Sequence, residues 1–160
     1  MDKKDIVFGL VIILILTAVV YYWKKPPAVE QDLVVPQTLS VEDEIEEKFK
    51  IQIPEDVEKA ELKDVSGGDG SGIATRKFAE GEFSHTILVD LPDPEGIRFY
   101  EGWLVKDNET VSTGKLNLAK GGYLLEFQSD TDYTSFNQVV VTLEEKLDKT
   151  SEKHILEGSF

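Results

Sequence analysis

Cysteine is absent from the chain. That excludes disulfides, thiolate metal centres, thiol nucleophiles and an acylated-cysteine anchor. A small domain built this way must rest on its core and its hydrogen bonds. Histidine occurs only twice, as His85 and His154. Positive charge is also scarce, with 17 Lys and Arg against 31 Asp and Glu, a net charge of −14. Residues 2–25 hold four of the lysines and two of the aspartates, which leaves 13 basic against 29 acidic residues elsewhere, a net −16. Such a surface repels nucleic acid and anionic lipid, so no nucleic-acid partner is expected. Catalytic signatures are missing as well. The glycine-rich run SGGDGSG at 66–72 lacks the GK[ST] ending and the helix of a phosphate-cradling loop. The serines include no nucleophile elbow. The sequence therefore predicts neither an enzyme nor a cofactor.

What is present begins with an uncharged run, Ile6 to Trp23, IVFGLVIILILTAVVYYW, 18 residues long. As a helix it covers about 27 Å, close to the hydrocarbon thickness of a bilayer. Tyr21, Tyr22 and Trp23 stand at one end, where amphipathic rings favour the membrane interface; Lys24 and Lys25 follow, and Pro26-Pro27 stop the helix. A cleaved signal peptide would have a shorter apolar region and a small-residue cleavage site. The run has no polar face, which argues against a buried core helix. The segment reads as an uncleaved single-pass anchor over residues 1–25. Lysines flank it evenly, but the free amino group adds positive charge on the short side. The expected orientation has the N-terminus in the cytoplasm and the rest outside.

Residues 26–39 form a polar linker with three prolines. Residues 40–57 hold a short helix and a connector. Ser40 suits an N-cap, Glu42 and Asp43 suit the first turn, and Val41, Ile45 and Phe49 make one apolar stripe. The spacing predicts a helix over 41–50, packed on the following domain or docked to a partner helix. Glu44–Lys48 and Glu46–Lys50 are spaced as supporting i,i+4 pairs.

Residues 58–160 read as strands: Lys59–Val65, Gly72–Phe78, Phe83–Leu91, Arg98–Lys106, Thr110–Asn117, Gly122–Gln128, Gln138–Glu144 and His154–Phe160. Alternation places Phe83, Ile87, Val89 and Leu91 on one face, and likewise Tyr123, Leu125 and Phe127, and Val139, Val141 and Leu143. Turn residues fill the breaks. Seven or eight strands with no helix between them predict an all-β, immunoglobulin-like antiparallel β-sandwich. In RFYEGWLVK, Phe99, Trp103 and Val105 share a face with Glu101. A bulge at Gly102 would release Glu101 to solvent; otherwise it is a buried carboxylate partnered by Arg98 or a lysine.

His85 falls on the apolar face of its strand and His154 begins the last strand. If the fold brought them together they could hold a metal with a carboxylate, and they are the metal-site candidates. Asp64 with Asp69, and Asp130 with Asp132, are oxygen ligands without the spacing of a calcium loop.

The run YEGWLVKDNETVSTGKL, then GYLLEF, then NQVVVTLEEKLDKTSEKHILEGSF, resembles the C-terminal extracytoplasmic domain of anti-sigma-K-type factors over roughly residues 60–160. The resemblance implies an immunoglobulin-like β-sandwich after one membrane helix, with a role in sensing or protein interaction. In that family a cytoplasmic domain ahead of the helix captures the sigma factor. Only Met1–Asp5 precede the span here, too few for an interface of about 800 Å² per partner. The expected function is therefore a membrane-anchored interaction or sensor module with a protein or envelope partner. The alternative is an envelope domain that binds a metal or small ligand.

Overall fold

The computed structural model describes residues 39–160 together with Thr17 and Tyr21. The chain divides into Met1–Gln37 and Thr38–Phe160. Thr17 and Tyr21 are helical. The remainder of the expected anchor and most of the linker lie outside the described residues, among which no helix is long and apolar enough to cross a membrane.

Helix α1, Val41–Phe49, starts as its sequence predicts. The Ser40 hydroxyl accepts from the Asp43 N–H, and the Asp43 carboxylate accepts from the Ser40 N–H, so two orphan donors are satisfied together. The helix ends at Lys50 in the left-handed conformation. Its stripe is buried: Ile45 and Phe49 pack with Ile53, Ile73 and Leu88 on the outer face of the sheet. The expected i,i+4 ion pairs are not those formed. Lys48 instead pairs with Asp90, and Glu46 Oε1 accepts from the Ile53 N–H at 2.6 Å. Contacts that also dock the helix replace contacts that would only extend it.

The strands are β1 (Glu58–Asp64), β2 (Ser71–Ala79), β3 (Glu82–Asp90), β4 (Phe99–Lys106), β5 (Glu109–Lys115), β6 (Asn117–Ala119), β7 (Gly122–Ser129), β8 (Gln138–Glu144) and β9 (Lys153–Ser159). They join in one antiparallel sheet of order β5-β4-β8-β9-β1-β2-β3-β7-β6. The strand expected over Thr110–Asn117 is two strands, β5 and β6, at opposite edges of the sheet. Leu116 alone separates them; it is buried, and its N–H donates to Tyr100 O at 2.8 Å. The chain itself thus carries one edge over to the other, and the sheet is nearly closed. Where the sequence suggested two packed immunoglobulin-like sheets, the strands are linked by hydrogen bonds into one.

The inner face holds the main core, including Leu62, Ala74, Ile87, Val89, Leu104, Leu125, Val139, Val141 and Leu156. Tyr100 and Tyr123 meet edge to face at one end, their hydroxyls donating to Pro92 O and Asp93 Oδ1. At the other end Phe83, Phe127, Tyr133 and Phe136 meet in edge-to-face and tilted contacts. Arg76 lies there over the Phe160 ring and donates to Phe136 O and Glu58 Oε2.

Strand β4 overturns one expectation. Its inward residues are Tyr100, Gly102 and Leu104, so Phe99, Glu101, Trp103 and Val105 point outward. The register does shift between Gly102 and Trp103. Glu101 is nevertheless 0% exposed, and its partner is the Ser112 hydroxyl, not Arg98 or a lysine. Arg98 turns to Glu95. Ser112 on β5 meets Glu101 on this outer face, and the connection between β8 and β9 reaches the same face where the Glu152 N–H donates to Glu144 Oε1.

Candidate binding site on the outer face of β4, β8 and β9

The strands beside that connection hold a cavity of about 310 Å³, lined by Trp103, Val105, Val140, His154, Glu157 and Gly158 among others. Trp103 is 2% exposed and forms an anchored wall: its indole N–H donates to Thr142 Oγ1 at 2.8 Å. A buried indole needs such a partner, and the bond fixes the ring on two neighbouring strands. His154 and Glu157 stand on β9, paired through Nδ1 and Oε1 at 2.6 Å, both largely exposed. A wider depression near Lys106, Ser135 and Asn137 shares Val105, Gln138 and Ser159 with the cavity, so the two form one groove along the sheet. Its walls are apolar in the middle and polar at both ends, the usual make-up of a recognition surface.

The two histidines are not brought together. His85 points into the barrel, 1% exposed, beside Phe83 and Phe160. Its Nδ1 lies 2.8 Å from Thr75 O; a carbonyl only accepts, so Nδ1 carries the proton and Nε2 is left bare and unpartnered. Burial pushes its pKa down to about 4, with the Arg76 charge acting in the same direction, so the ring is neutral at physiological pH. His154 faces the groove on the other side of the sheet. Among the described residues no group of three potential metal ligands occurs.

The glycine-rich turn has another use. Asp64 Oδ1 accepts from the Ser66 N–H, the Ser66 hydroxyl and the Gly68 N–H, and Oδ2 accepts from the Gly70 N–H. The amides that might have cradled a phosphate are aimed at the chain's own carboxylate. Burial opposes ionisation of Asp64, but the bonds from Gly68, Ser66 and Gly70 outweigh it and hold the pKa below the ordinary value. Asp69 is exposed, and Asp132 closes a turn by accepting from the Thr134 N–H.

Comparison with known protein families, curated proteins and solved structures finds no match.

Of the groove residues, the sequence marks only His154 as a site candidate; Trp103 and Val105 read there as strand residues sharing one face, and Val140 and Glu157 carry no site signal. One signal was available. Strand β8 reads QVVVTLE, apolar on both faces over its first half, as a strand does when both sides are covered.

Proposed function

We propose that the chain is a membrane-tethered, extracytoplasmic, non-catalytic recognition or sensor module, and that the groove beside Trp103 is where it meets its partner. The charge-free run Ile6–Trp23 supports the tether. The linker over residues 26–39 supports a spacer that lifts the β domain from the lipid surface. The resemblance to the outer domain of anti-sigma-K-type factors supports a sensing role and an immunoglobulin-like ancestry for the strands. The observation that carries the reading is the groove itself, a trough of mixed polarity with an indole wall anchored by hydrogen bond to the neighbouring strand.

A small ligand of the envelope is the second reading, because the cavity volume falls within the range of small-molecule sites. The test uses the full-length chain in detergent, cross-linked in membranes before extraction. The expected result is one protein partner captured by the wild type and lost in Val140→Glu, with circular dichroism unchanged. Recovery of intact chain in the soluble cytosolic fraction, or equal capture by both forms, would reject the proposal.

A further inference from the structure

Glu101 on β4 and Glu144 on β8 are both 0% exposed. Glu101 pairs across the strands with Thr142, and Phe99 pairs with Glu144. The two carboxylates therefore share the outer face as diagonal neighbours, with β-carbons about 7 Å apart. Each has one partnered oxygen. Glu101 Oε1 accepts from the Ser112 hydroxyl, and Glu144 Oε1 accepts from the Glu152 N–H at 2.9 Å. The Oε2 atoms of both are buried with no partner.

Among the described residues no positive charge is paired with either glutamate. Lys115, opposite Glu101 on β5, directs its ammonium over the Phe99 ring. His154, opposite Thr142 on β9, is engaged with Glu157. Lys146 and Lys149 in the β8–β9 connection are exposed and occur in none of the ion pairs among the described residues, and the same connection brings Asp148 and Glu152. Burying two ionised carboxylates with no countercharge costs several kcal/mol per ion, on the order that shifts protonation instead. Two carboxylates are also too few for calcium, which takes about 6–8 oxygen ligands.

We propose that Glu101 and Glu144 form a proton-held latch: in the closed form at least one is a neutral carboxylic acid, and ionisation of both releases the β8–β9 connection from the outer face of the sheet beside Trp103. The connection is pinned at one place by the glutamates themselves, since Glu152 donates to Glu144 and accepts from the Glu145 N–H. Ser151 from the same connection lines the groove, so release would widen it. Burial raises the Glu101 pKa, the Ser112 hydrogen bond works against that rise, and the Glu144 and Asp148 charges add to it. The closed form therefore holds a proton that the open form gives up, and closure weakens as pH rises. The latch borders the groove but does not depend on what the groove binds.

Hydrogen exchange of peptides covering residues 145–152, in the full-length chain and corrected for intrinsic rate, reads this directly. Protection should fall about tenfold per pH unit between the ordinary carboxylate pKa and the raised pKa of Glu101. It should stay level in the double variant Glu101→Gln, Glu144→Gln. Protection independent of pH in the wild type, or the same slope in the double variant, overturns the latch. If the double variant does not fold, infrared spectra decide: a protonated carboxylic-acid carbonyl band that persists above the ordinary carboxylate range and that Glu101→Gln removes supports it, and a spectrum in which every carboxyl group titrates within that range overturns it. Protection at high pH restored by calcium and lost with EDTA would make the pair a metal site and likewise overturn the proposal.

Discussion

Gly102 on β4 lies directly beneath Ile87 on β3, so closely that a β-carbon at Gly102 would stand 2.6 Å from Ile87 Cδ1 and 2.8 Å from Thr113 Oγ1. The sheet is drawn in at this point because glycine leaves room for the opposing side chain. Gly102→Ala should cost about 1–3 kcal/mol, the usual range for overpacking a core, measured as a lower urea midpoint with unchanged slope. An unchanged midpoint would mean that β4 and β3 are further apart than described.

Gly122 presents a harder case. Its φ is 152°, and an added β-carbon would lie 2.2 Å from the carbonyl oxygen of Val89 and 3.1 Å from Phe49. Backbone cannot step aside as a side-chain tip can. Gly122→Ala should cost roughly 3 kcal/mol or more, exceeding the Gly102→Ala effect, and should also loosen α1, whose end packs there. Parallel denaturation curves of the two variants check the order.

Asp64 organises the turn between β1 and β2 through four hydrogen bonds. Asp64→Ala should cost about 2–3 kcal/mol, because charged acceptors make the stronger bonds and three backbone donors would lose theirs. Asp64→Asn should lie between, as an amide keeps only one accepting oxygen. With its pKa held below 3.8, Asp64 contributes stability that is present above that value and lost as pH falls through the folded pKa. The acid limb of a stability–pH curve should therefore flatten in Asp64→Ala.

His85 should act in a different window. Its folded pKa of about 4 lies below the ordinary 6.5, so the unfolded chain takes up a proton in that interval and the folded chain does not. The stability from this group is complete above pH 6.5 and declines as pH drops toward 4, by about 3 kcal/mol in all. Denaturation across this range should show the slope in the wild type and a shallower one in His85→Gln. An imidazole that titrates near 6.5 by NMR in the folded protein would contradict it.

Much of the fold was legible. Strand β8 begins and ends at the residues its alternation indicates, Gln138 and Glu144, and α1 begins at its Ser40 cap. These features follow from local rules of period, cap and turn. Strand β4 was not legible in the same way. Both of its faces are covered, so Phe99, Trp103 and Val105 looked like core when the core face is Tyr100, Gly102 and Leu104. Of the groove, only His154 was legible as a site residue, since the others are brought to it from different strands through a register that no local pattern states.

The amino-acid order alone determined the uncharged run at residues 6–23, the acidic surface, the absence of thiol chemistry and the positions of nearly all the strands, because each depends on composition or on neighbours a few residues apart. Tertiary structure alone decided that β5 and β6 lie on opposite edges, that the two histidines face opposite sides of the sheet, and that Glu101 and Glu144 are shut away from water together. Those outcomes depend on which distant strands pair and on what then covers them, and pairing is settled by the packing of the whole sheet.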